Sequence, residues 1–561
     1  MAHIQLIGVS TQKDPQGRIK AFPYAFPIII QQLRKTSHTF HCVDTHLDKL
    51  SLDELLERVA TMDAGIFGIS GWSHNYPEVK AVAARIRELR PEAVIIVGGV
   101  LTGNDEVLMR CTETDIASTG AEGEFILPEI LDRLDAAPAG RRLPDSLNEI
   151  KGITFRDHAT GTWHRTLPRP VQSREEFQKA DMPAYDYFRK PIQELVDWLN
   201  GRDDVPVPAF PLLTMRGCPF PCTFCGHNYG RRFLRKKWDS FFDEVQYLID
   251  NFGARGFYSQ DTNMFLNRGD VDEYCRIYAE RGCTFTICVE MRTTFGDVEM
   301  FRQMWAAGVR VVLFGFESGS QRMLDLMRKN FALDKMKPII RSAIEAGMHT
   351  HGNFLYGTPG ENWQSMKETR AFQLEMERWI WDQDNRMKTS GGHSTSGWGF
   401  TVLIPSPTSE LYKVARDNGL IVDEERYLES LGGETTKKLL KGSNFKIRLA
   451  DGDAGDVNMS EFTSHAAMVA CMRMNLALVK LQALCFSPGR LFANLPQAAR
   501  LAGRTAWQTA RYAWITTGDR LAGRKGPKAE DLGMKPRRAS TEAAIAEGYR
   551  SEPGQQASCG S

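Results

Sequence analysis

Three closely spaced cysteines occur in the stretch Arg216-Gly217-Cys218-Pro219-Phe220-Pro221-Cys222-Thr223-Phe224-Cys225-Gly226-His227, directly after a predicted strand. The spacing C-x3-C-x2-C lets an irregular loop place the thiolates of Cys218, Cys222 and Cys225 around one face of a cuboidal iron–sulfur cluster, leaving one iron open. The prolines and glycines shape backbone that no helix supplies. Zinc is the competing interpretation, although structural zinc sites usually close with a fourth nearby Cys or His. Structural thiols are the remaining alternative.

The cysteine loop opens a segment in which short apolar runs alternate with amphipathic stretches. The first strand is expected at residues 211–215, and the helices lie between the strands. The later strands are expected at Gly256–Ser259, Phe285–Val289, Val309–Phe316, His349–Tyr356 and Gly399–Leu403. About six β/α units predict a partial (β/α)6 TIM-like barrel, whose chemistry lies at the C-terminal ends of the strands.

A similar alternation occupies the first 134 residues. Its clearest strand is the β-branched run Ala93–Val97, which ends in Gly98-Gly99. Strands that alternate with helices predict a doubly wound parallel sheet of Rossmann type, and hence an α/β protein. Ligands of such sheets lie beyond the carboxyl ends of the strands. Small residues would gather there, in Gly8-Val9-Ser10, Ser70-Gly71-Trp72-Ser73-His74, Gly98-Gly99-Val100 and Gly120–Gly123. Turn formation alone is the plainer explanation for any single one of these glycines.

Changes in pattern along the chain predict five parts. They are a Rossmann-type sheet domain at 1–135, a linker at 136–207, the partial barrel at 208–405, a mostly helical region at 406–502 and a basic flexible tail at 503–561. Trp507, Tyr512 and Trp514, near the start of that tail, could pack on the body or on a partner.

Composition excludes several classes of function. The chain has 561 residues, of which 42% are hydrophobic and 25% charged, as in soluble globular proteins. A net charge of +1 gives no basic field for a phosphate backbone, so nucleic acid is not expected as a partner. No apolar run approaches the roughly 18 residues of a membrane span. Eleven cysteines without an export signal favour thiols or metal ligands in a reducing cytoplasm.

The cysteine loop resembles that of the radical S-adenosylmethionine (SAM) superfamily, with Phe224 as the aromatic residue before the third cysteine. The resemblance continues, in order along the chain, after the later strands of the predicted barrel. The corresponding residues are Gln260 and Asp261, Glu290 and Arg292, Glu317 and Ser318, Gly357 within Gly357–Glu361, and the proline-rich loop from Ile404 to Tyr412. The resemblance implies a [4Fe–4S] cluster on the three cysteines and SAM on its open iron. The residues implied to contact SAM are Gln260, Asp261, Glu290, Arg292, Glu317, Ser318 and Gly357.

The combination of this barrel with an N-terminal sheet resembles the domain arrangement of the cobalamin-binding subclass of the superfamily. The residues that carry this resemblance lie in Gly68–Ser70, Asn75–Pro77, Val97–Gly99 and Thr119–Glu124. The predicted cofactor residues within and beside these stretches are Ser70, Gly71, Trp72, Gly98, Gly99, Gly120 and Glu122. They are implied to contact cobalamin. The Asp-x-His-x-x-Gly loop that would donate a histidine to cobalt is absent, since Asp14 has no histidine partner, and this leaves the lower axial ligand unassigned. His74 could face that side, although a polar loop role is the plainer explanation.

The subclass implies a methyltransferase. In it the methyl group of SAM passes through cobalt to an unactivated carbon, or a phosphorus, of a small natural-product intermediate. An external electron donor such as flavodoxin or ferredoxin is implied.

Two alternatives remain. The first is a cobalamin-free radical reaction such as 3-amino-3-carboxypropyl transfer, for which Cys559 could present a soft acceptor. The second, of another class, is an iron–sulfur scaffold or redox-sensing interaction protein. The polar loop Thr389–Gly399, including His393, could cover the substrate.

Overall fold

The computed structural model describes residues 1–9, 19, 22–137, 143–202, 204–226, 229–389, 395–432 and 457–536. The positions proposed at Ser10, Asp14, His227, His393 and Cys559 therefore lie outside the described residues. Within them, a seven-stranded and a six-stranded sheet are flanked by helices, which confirms the predicted α/β class.

The N-terminal part forms a seven-stranded sheet. Its strands in chain order are β1 His3–Gly8, β2 Thr39–Asp44, β3 Ile66–Ser70, β4 Val94–Gly98, β5 Ile116–Ser118, β6 Ile153–Arg156 and β7 Trp163–Arg165. Its helices are α1 Ala25–Leu33, α2 Leu52–Thr61, α3 Tyr76–Leu89, α4 Asp105–Cys111 and α5 Gly123–Asp135. The order β2-β1-β3-β4-β5-β6-β7 is parallel through β5, so the carboxyl ends of these strands meet at one edge.

The segment expected to be a linker contributes structure to both halves. Its hairpin, β6 and β7, adds two antiparallel strands to the first sheet. It also carries helices α6 Arg174–Gln178 and α7 Arg189–Asn200. The face of α7 that includes Ile192 and Leu195 is buried in the core that both sheets share.

The central part is a half-barrel of six parallel strands. Its sheet, in the order β15-β14-β13-β12-β11-β8, contains β8 Ala209–Leu212, β11 Gly256–Ser259, β12 Thr286–Met291, β13 Val309–Glu317, β14 His349–Tyr356 and β15 Gly399–Val402. Two short antiparallel strands, β9 Met215–Arg216 and β10 Leu234–Arg235, follow β8. The helices are α8 Trp238–Phe252, α9 Arg268–Glu280, α10 Val298–Ala306, α11 Gln321–Leu326, α12 Leu333–Glu345 and α13 Trp363–Thr389. The predicted partial barrel is thus present.

The C-terminal part is helical beyond the predicted boundary. Its described helices are α14 Glu410–Asp417, α15 Glu424–Leu431, α16 His465–Leu484, α17 Pro488–Ala493 and α18 Leu495–Leu521. Helix α18 runs through residues 502 and 503, and Ala529, Leu532 and Met534 are buried beyond it. The prediction of a flexible tail from residue 503 is therefore wrong for residues 503–536. Basic charge suggested solvation, but apolar residues at helical spacing pack one face of α18.

Helix α16 is the one described helix whose length and composition would also suit a membrane span, and 67% of its apolar window is buried inside the protein. It packs against α13 and α18. An apolar helix enclosed by other helices is typical of a protein core, so this observation gives little support to a span.

A buried ion pair joins the strand before the cysteine loop to a helix of the N-terminal sheet domain. Arg216, at the end of β9, donates to the carboxylate of Glu124 in the first turn of α5, and both side chains are at least nine-tenths buried. The Arg216 guanidinium also lies over the rings of Phe177 and Tyr229, 5.3 and 5.5 Å from their centroids. The strand that leads into the cysteine loop is thereby fixed to the N-terminal sheet domain.

We expect Arg216→Met to destabilise the protein by about 3–5 kcal/mol, because the Glu124 carboxylate would stay buried without a partner. Urea unfolding of the full chain measures the change. Arg133→Met is the matched control, since its pair with Glu149 is exposed and should contribute about 0–1 kcal/mol. Equal effects of the two substitutions would contradict this account of the ion pair.

Candidate active site

The cysteine loop leaves β9 through a position that only glycine can occupy. Gly217 has φ +77°, and a Cβ there would lie 2.2 Å from the carbonyl oxygen of Arg232. Strands β9 and β10 close the base of the loop, with Arg216 opposite Leu234. The backbone of Thr223 is held from the other side by a bond from its N–H to the Met327 carbonyl. The loop is therefore fixed at both its base and its tip.

Asp261 anchors the residues before the loop. Its buried carboxylate accepts the backbone N–H groups of Thr214 and Met215, both at 2.8 Å, and the hydroxyls of Thr214 and Ser259. Burial raises the pKa of this carboxyl, and the four donors oppose that rise. Asp261 is thus saturated by the protein itself and positions the cysteine loop, rather than facing a ligand.

The thiols of Cys218, Cys222 and Cys225 line one cavity of about 730 Å³, which we call the cluster cavity. Burial raises the pKa of Cys225 to about 12, so a bound metal has to displace the thiol proton. Arg292 lies against the loop, with Nη1 3.5 Å from the Cys222 sulfur and its guanidinium carbon 3.7 Å from the Phe220 ring centroid. A cation beside a sulfur favours thiolate, so the donor set fits an iron–sulfur cluster.

In the described part of the chain, no group of three or more Cys, His, Asp or Glu side chains is arranged to hold a single metal ion. A cuboidal cluster binds each cysteine at a different iron, so three sulfurs can be ligands without converging on one point.

Two acids and two cations line the cluster cavity beside the cysteines. Lys329 Nζ lies 2.5 Å from a carboxylate oxygen of Glu317, and the two are largely buried. Glu317, with φ +56°, and the residues on either side of Lys329, with φ +52° and +56°, have left-handed backbone. Such strain in residues other than glycine is concentrated at ligand sites and switches. Lys329 was not predicted as a site residue.

Uncharged side chains from β14 and β15 line another part of the cluster cavity, beside the Lys329–Glu317 pair. His351 and Asn353, two residues apart on β14, line it together with Trp398, Thr401 and Phe354. Burial lowers the pKa of His351, which favours neutral imidazole. The indole N–H of Trp398 is buried without a hydrogen-bond partner among the described residues. Polar residues at alternate positions of β14 could have indicated this part of the cavity from the sequence, because alternate side chains of a strand lie on one face.

A second cavity of about 730 Å³ lies at the carboxyl edge of the N-terminal sheet, and we call it the sheet cavity. Among the predicted cofactor residues, it is lined by Ser70, Trp72, Gly98, Gly99 and Gly120. A Cβ on Gly98 would meet no atom within 4 Å, so the glycine leaves open space at the strand end. Such an opening at the edge of a doubly wound sheet fits a large, flat ligand.

The two cavities share a wall. Tyr258 lines the sheet cavity and donates its hydroxyl to the carboxylate of Glu290, which lines the cluster cavity. Burial raises the pKa of Glu290. Gln260, predicted as a SAM contact, lines the sheet cavity instead. Of the predicted SAM contacts, Glu290, Arg292 and Glu317 do line the cluster cavity.

Four other predicted residues line neither cavity. Ser318 is buried and bonded to Thr369 at 3.1 Å, and the N–H of Gly357 is bonded to the Glu361 carboxylate. Gly71 lies behind the sheet cavity, where a Cβ would lie 2.9 Å from Val79. Glu122 is buried and accepts the Gln172 N–H at 3.0 Å. Beside the cavity, His74 stacks on Trp72 with ring centroids 6.5 Å apart.

The sequence comparisons identify the central part of the chain. Residues 212–372 match the Radical SAM superfamily. An uncharacterized methyltransferase of Pyrococcus horikoshii is 23% identical over 422 residues, 72% of this chain and 83% of that one. An anaerobic magnesium-protoporphyrin IX monomethyl ester cyclase of Cereibacter sphaeroides is 23% identical over 410 residues, 70% of this chain and 60% of that protein.

Solved structures share the fold. The cobalamin-dependent SAM radical enzyme OxsB, solved with aqua-cobalamin bound, superposes with a TM-score of 0.60 at 13% identity, over 98% of this chain and 84% of its own. The radical SAM methyltransferase TsrM from Kitasatospora setae, with cobalamin and a [4Fe–4S] cluster bound, gives 0.54 at 16% identity, over 75% of this chain and 79% of its own. The predicted radical SAM domain is confirmed for residues 212–372, and the predicted fold is confirmed.

We expect Asp261→Asn to reduce the iron retained by the protein after anaerobic reconstitution and gel filtration. One carboxylate oxygen accepts both short backbone N–H bonds, and the other accepts the hydroxyls of Thr214 and Ser259. An amide has only one acceptor oxygen, so its NH2 group would face those two hydroxyl donors and weaken the anchor of the residues before the loop. Iron per chain measures the effect. Asp272→Asn, an exposed carboxylate paired with Arg268, is the control. Full iron retention in Asp261→Asn would show that this anchor does not hold the loop.

Proposed function

We propose that this chain, whose residues 212–372 form a radical SAM domain, is a cobalamin-dependent methyltransferase that acts on a small molecule. The observation that carries the proposal is the shared wall of Tyr258 and Glu290 between two cavities of equal volume. Methyl transfer by two cofactors needs two large sites that adjoin one another. The names and bound cofactors of the similar proteins support the same activity.

Cys218, Cys222 and Cys225 would hold the [4Fe–4S] cluster, and SAM would lie beside it in the cluster cavity. Arg292 and Lys329 are the cations there that suit the methionyl carboxylate. Glu290 and Glu317 offer carboxylate oxygens to an amine or to ribose hydroxyls. Because Lys329 and Glu317 pair with each other, SAM has to exchange with, or extend, that ion pair.

The corrinoid would occupy the sheet cavity, with Gly98, Gly99 and Gly120 letting the macrocycle approach the backbone. When bound, the cluster supplies the electron that cleaves SAM, and the corrinoid carries a methyl group to an atom too weakly nucleophilic to attack a sulfonium. Tyr258 and Glu290 would separate the two cofactors and define the side from which substrate reaches both.

The part of the cluster cavity that β14 and β15 line is the proposed substrate site. His351 and Asn353 provide uncharged donors and acceptors, while Trp398 provides aromatic surface. This combination suits an uncharged small molecule that carries hydroxyl or amide groups beside an apolar carbon. An external reductant such as flavodoxin or ferredoxin, and a cytoplasmic location, complete the proposal.

We expect the reconstituted protein, given cobalamin, SAM and a reductant, to form S-adenosylhomocysteine together with 5′-deoxyadenosine. Liquid chromatography with mass detection measures both products. Cys222→Ala should abolish 5′-deoxyadenosine, because the cluster loses a ligand. Methylthioadenosine as the main product would instead indicate aminocarboxypropyl transfer. No SAM cleavage at all would indicate an iron–sulfur scaffold.

We expect Gly98→Leu to lower the corrinoid content by roughly tenfold or more while iron per chain stays unchanged, because the new side chain would extend into the open sheet cavity. Absorption spectra and iron assays of one preparation report both quantities. Gly65→Leu is the matched control, since Gly65 precedes β3 of the same sheet, has open space around its Cβ position and lies outside the cavity. Normal corrinoid content in Gly98→Leu would place the corrinoid elsewhere.

A further inference from the structure

One face of helix α18 is apolar because it packs against the rest of the protein. Ala498, Leu501, Gln508 and Asp519 are buried, and their spacing follows a helical period. Ala498 and Leu501 pack with Ala477 and Leu484 of α16. Burial against α16 accounts for the apolar residues of this inner face alone.

The opposite face of α18 carries large apolar side chains that packing does not explain. Trp507, Trp514 and Leu521 recur every seven residues and are 56%, 78% and 86% exposed. Phe492 and Leu495, at the start of the same segment, are 70% and 50% exposed. Five of the thirteen exposed large hydrophobic residues among the described residues thus lie within 30 consecutive positions. From Trp507 to Leu521 the stripe extends over about 21 Å.

The same segment is strongly cationic. Residues 485–528 contain eight Arg and Lys side chains against one acid, Asp519, a local net charge of +7 in a chain of net charge +1. The cations are Arg490, Arg500, Arg504, Arg511, Arg520, Arg524, Lys525 and Lys528. Asp519 is buried: one carboxylate oxygen accepts hydroxyls from Thr463 and Ser464 at 2.8 and 2.6 Å, and the other lies 3.6 Å from Arg524, so it offsets only one of the eight cations. The exposed face is left with positive charge.

Arginine and tryptophan alternate along this face. Arg500, Arg504, Trp507, Arg511 and Trp514 follow one another at spacings of three or four, and the Arg511 guanidinium lies 5.3 Å from the Trp507 ring centroid. Indoles prefer the boundary between lipid headgroups and acyl chains, and long basic side chains reach from there to anionic headgroups. An exposed helix with this pattern is typical of an interfacial anchor.

We propose that the outer face of α18, together with Phe492 and Leu495, docks on the surface of an anionic lipid bilayer. The cationic charge complements phosphate headgroups, and the aromatic stripe lies on the cylindrical surface of one helix, which suits insertion parallel to a membrane. A protein interface more typically buries its aromatic anchors in pockets at its centre. Attachment is peripheral, because α16 beneath α18 is a packed core helix.

The test uses the full-length reconstituted protein and sedimentation with vesicles of phosphatidylcholine, with or without phosphatidylglycerol. We expect binding to the anionic vesicles alone, a blue shift of tryptophan fluorescence, and weakening by salt. The double substitution Trp507→Ala and Trp514→Ala should weaken binding by roughly tenfold or more. Trp163→Ala removes an exposed tryptophan on β7 and should leave binding unchanged. Unfolding temperature and iron content should be the same in all three proteins, since both α18 indoles are exposed.

Four results would overturn the proposal. The first is that the protein sediments with neither kind of vesicle. The second is that it binds neutral and anionic vesicles equally and that the double substitution does not change this binding. The protein could instead self-associate in sedimentation velocity without binding vesicles. If the double substitution abolished that self-association, this face would be an interface between copies of the chain. The wild-type protein could also bind an acidic redox protein such as flavodoxin and no vesicles. If the double variant lost that binding, this face would be the binding site of the electron donor.

Discussion

The buried ion pair between Arg216 and Glu124 is the interaction on which the relative placement of the two cavities depends. Arg216 immediately precedes the cysteine loop, and Glu124 begins the helix beside the carboxyl edge of the N-terminal sheet. Asp261 fixes the adjoining residues Thr214 and Met215 to the end of β11. A buried pair of charges tolerates little displacement, because either partner alone would be costly to bury. The cluster loop is therefore held in one position relative to both sheets.

This placement gives the wall between the cavities its importance. Tyr258 and Glu290 come from neighbouring strands of the half-barrel, yet each faces a different cavity. In the proposed reaction, the acceptor atom must be reached from the SAM side and from the corrinoid side. The hydrogen-bonded pair of Tyr258 and Glu290 in this wall keeps the distance between the two cavities short. Both strands are central in the sheet, so the wall rests on rigid backbone rather than on loops.

The sequence permitted a prediction of the cysteine ligands and of the order of strands, because both follow from local spacing and alternation. It did not reveal which polar residues face a cavity. Asp261, Ser318 and Gly357 occupy family-like positions but are bonded to neighbouring protein groups, while Lys329 reaches the site through an ion pair with Glu317. Such pairings depend on how strands and loops meet in three dimensions. The buried face of α18 was missed for a similar reason: the many arginines of this segment suggested a solvated tail, although its buried residues recur at helical spacing.

The measurement that tests the central claim most directly is the corrinoid and iron content of anaerobically purified, cluster-reconstituted protein expressed with cobalamin. Two adjoining cavities, each with its own cofactor, predict about one corrinoid and about four irons per chain. About four irons without corrinoid would contradict the account, since the sheet cavity would then have another role and the two-cofactor methyl transfer would lose its basis.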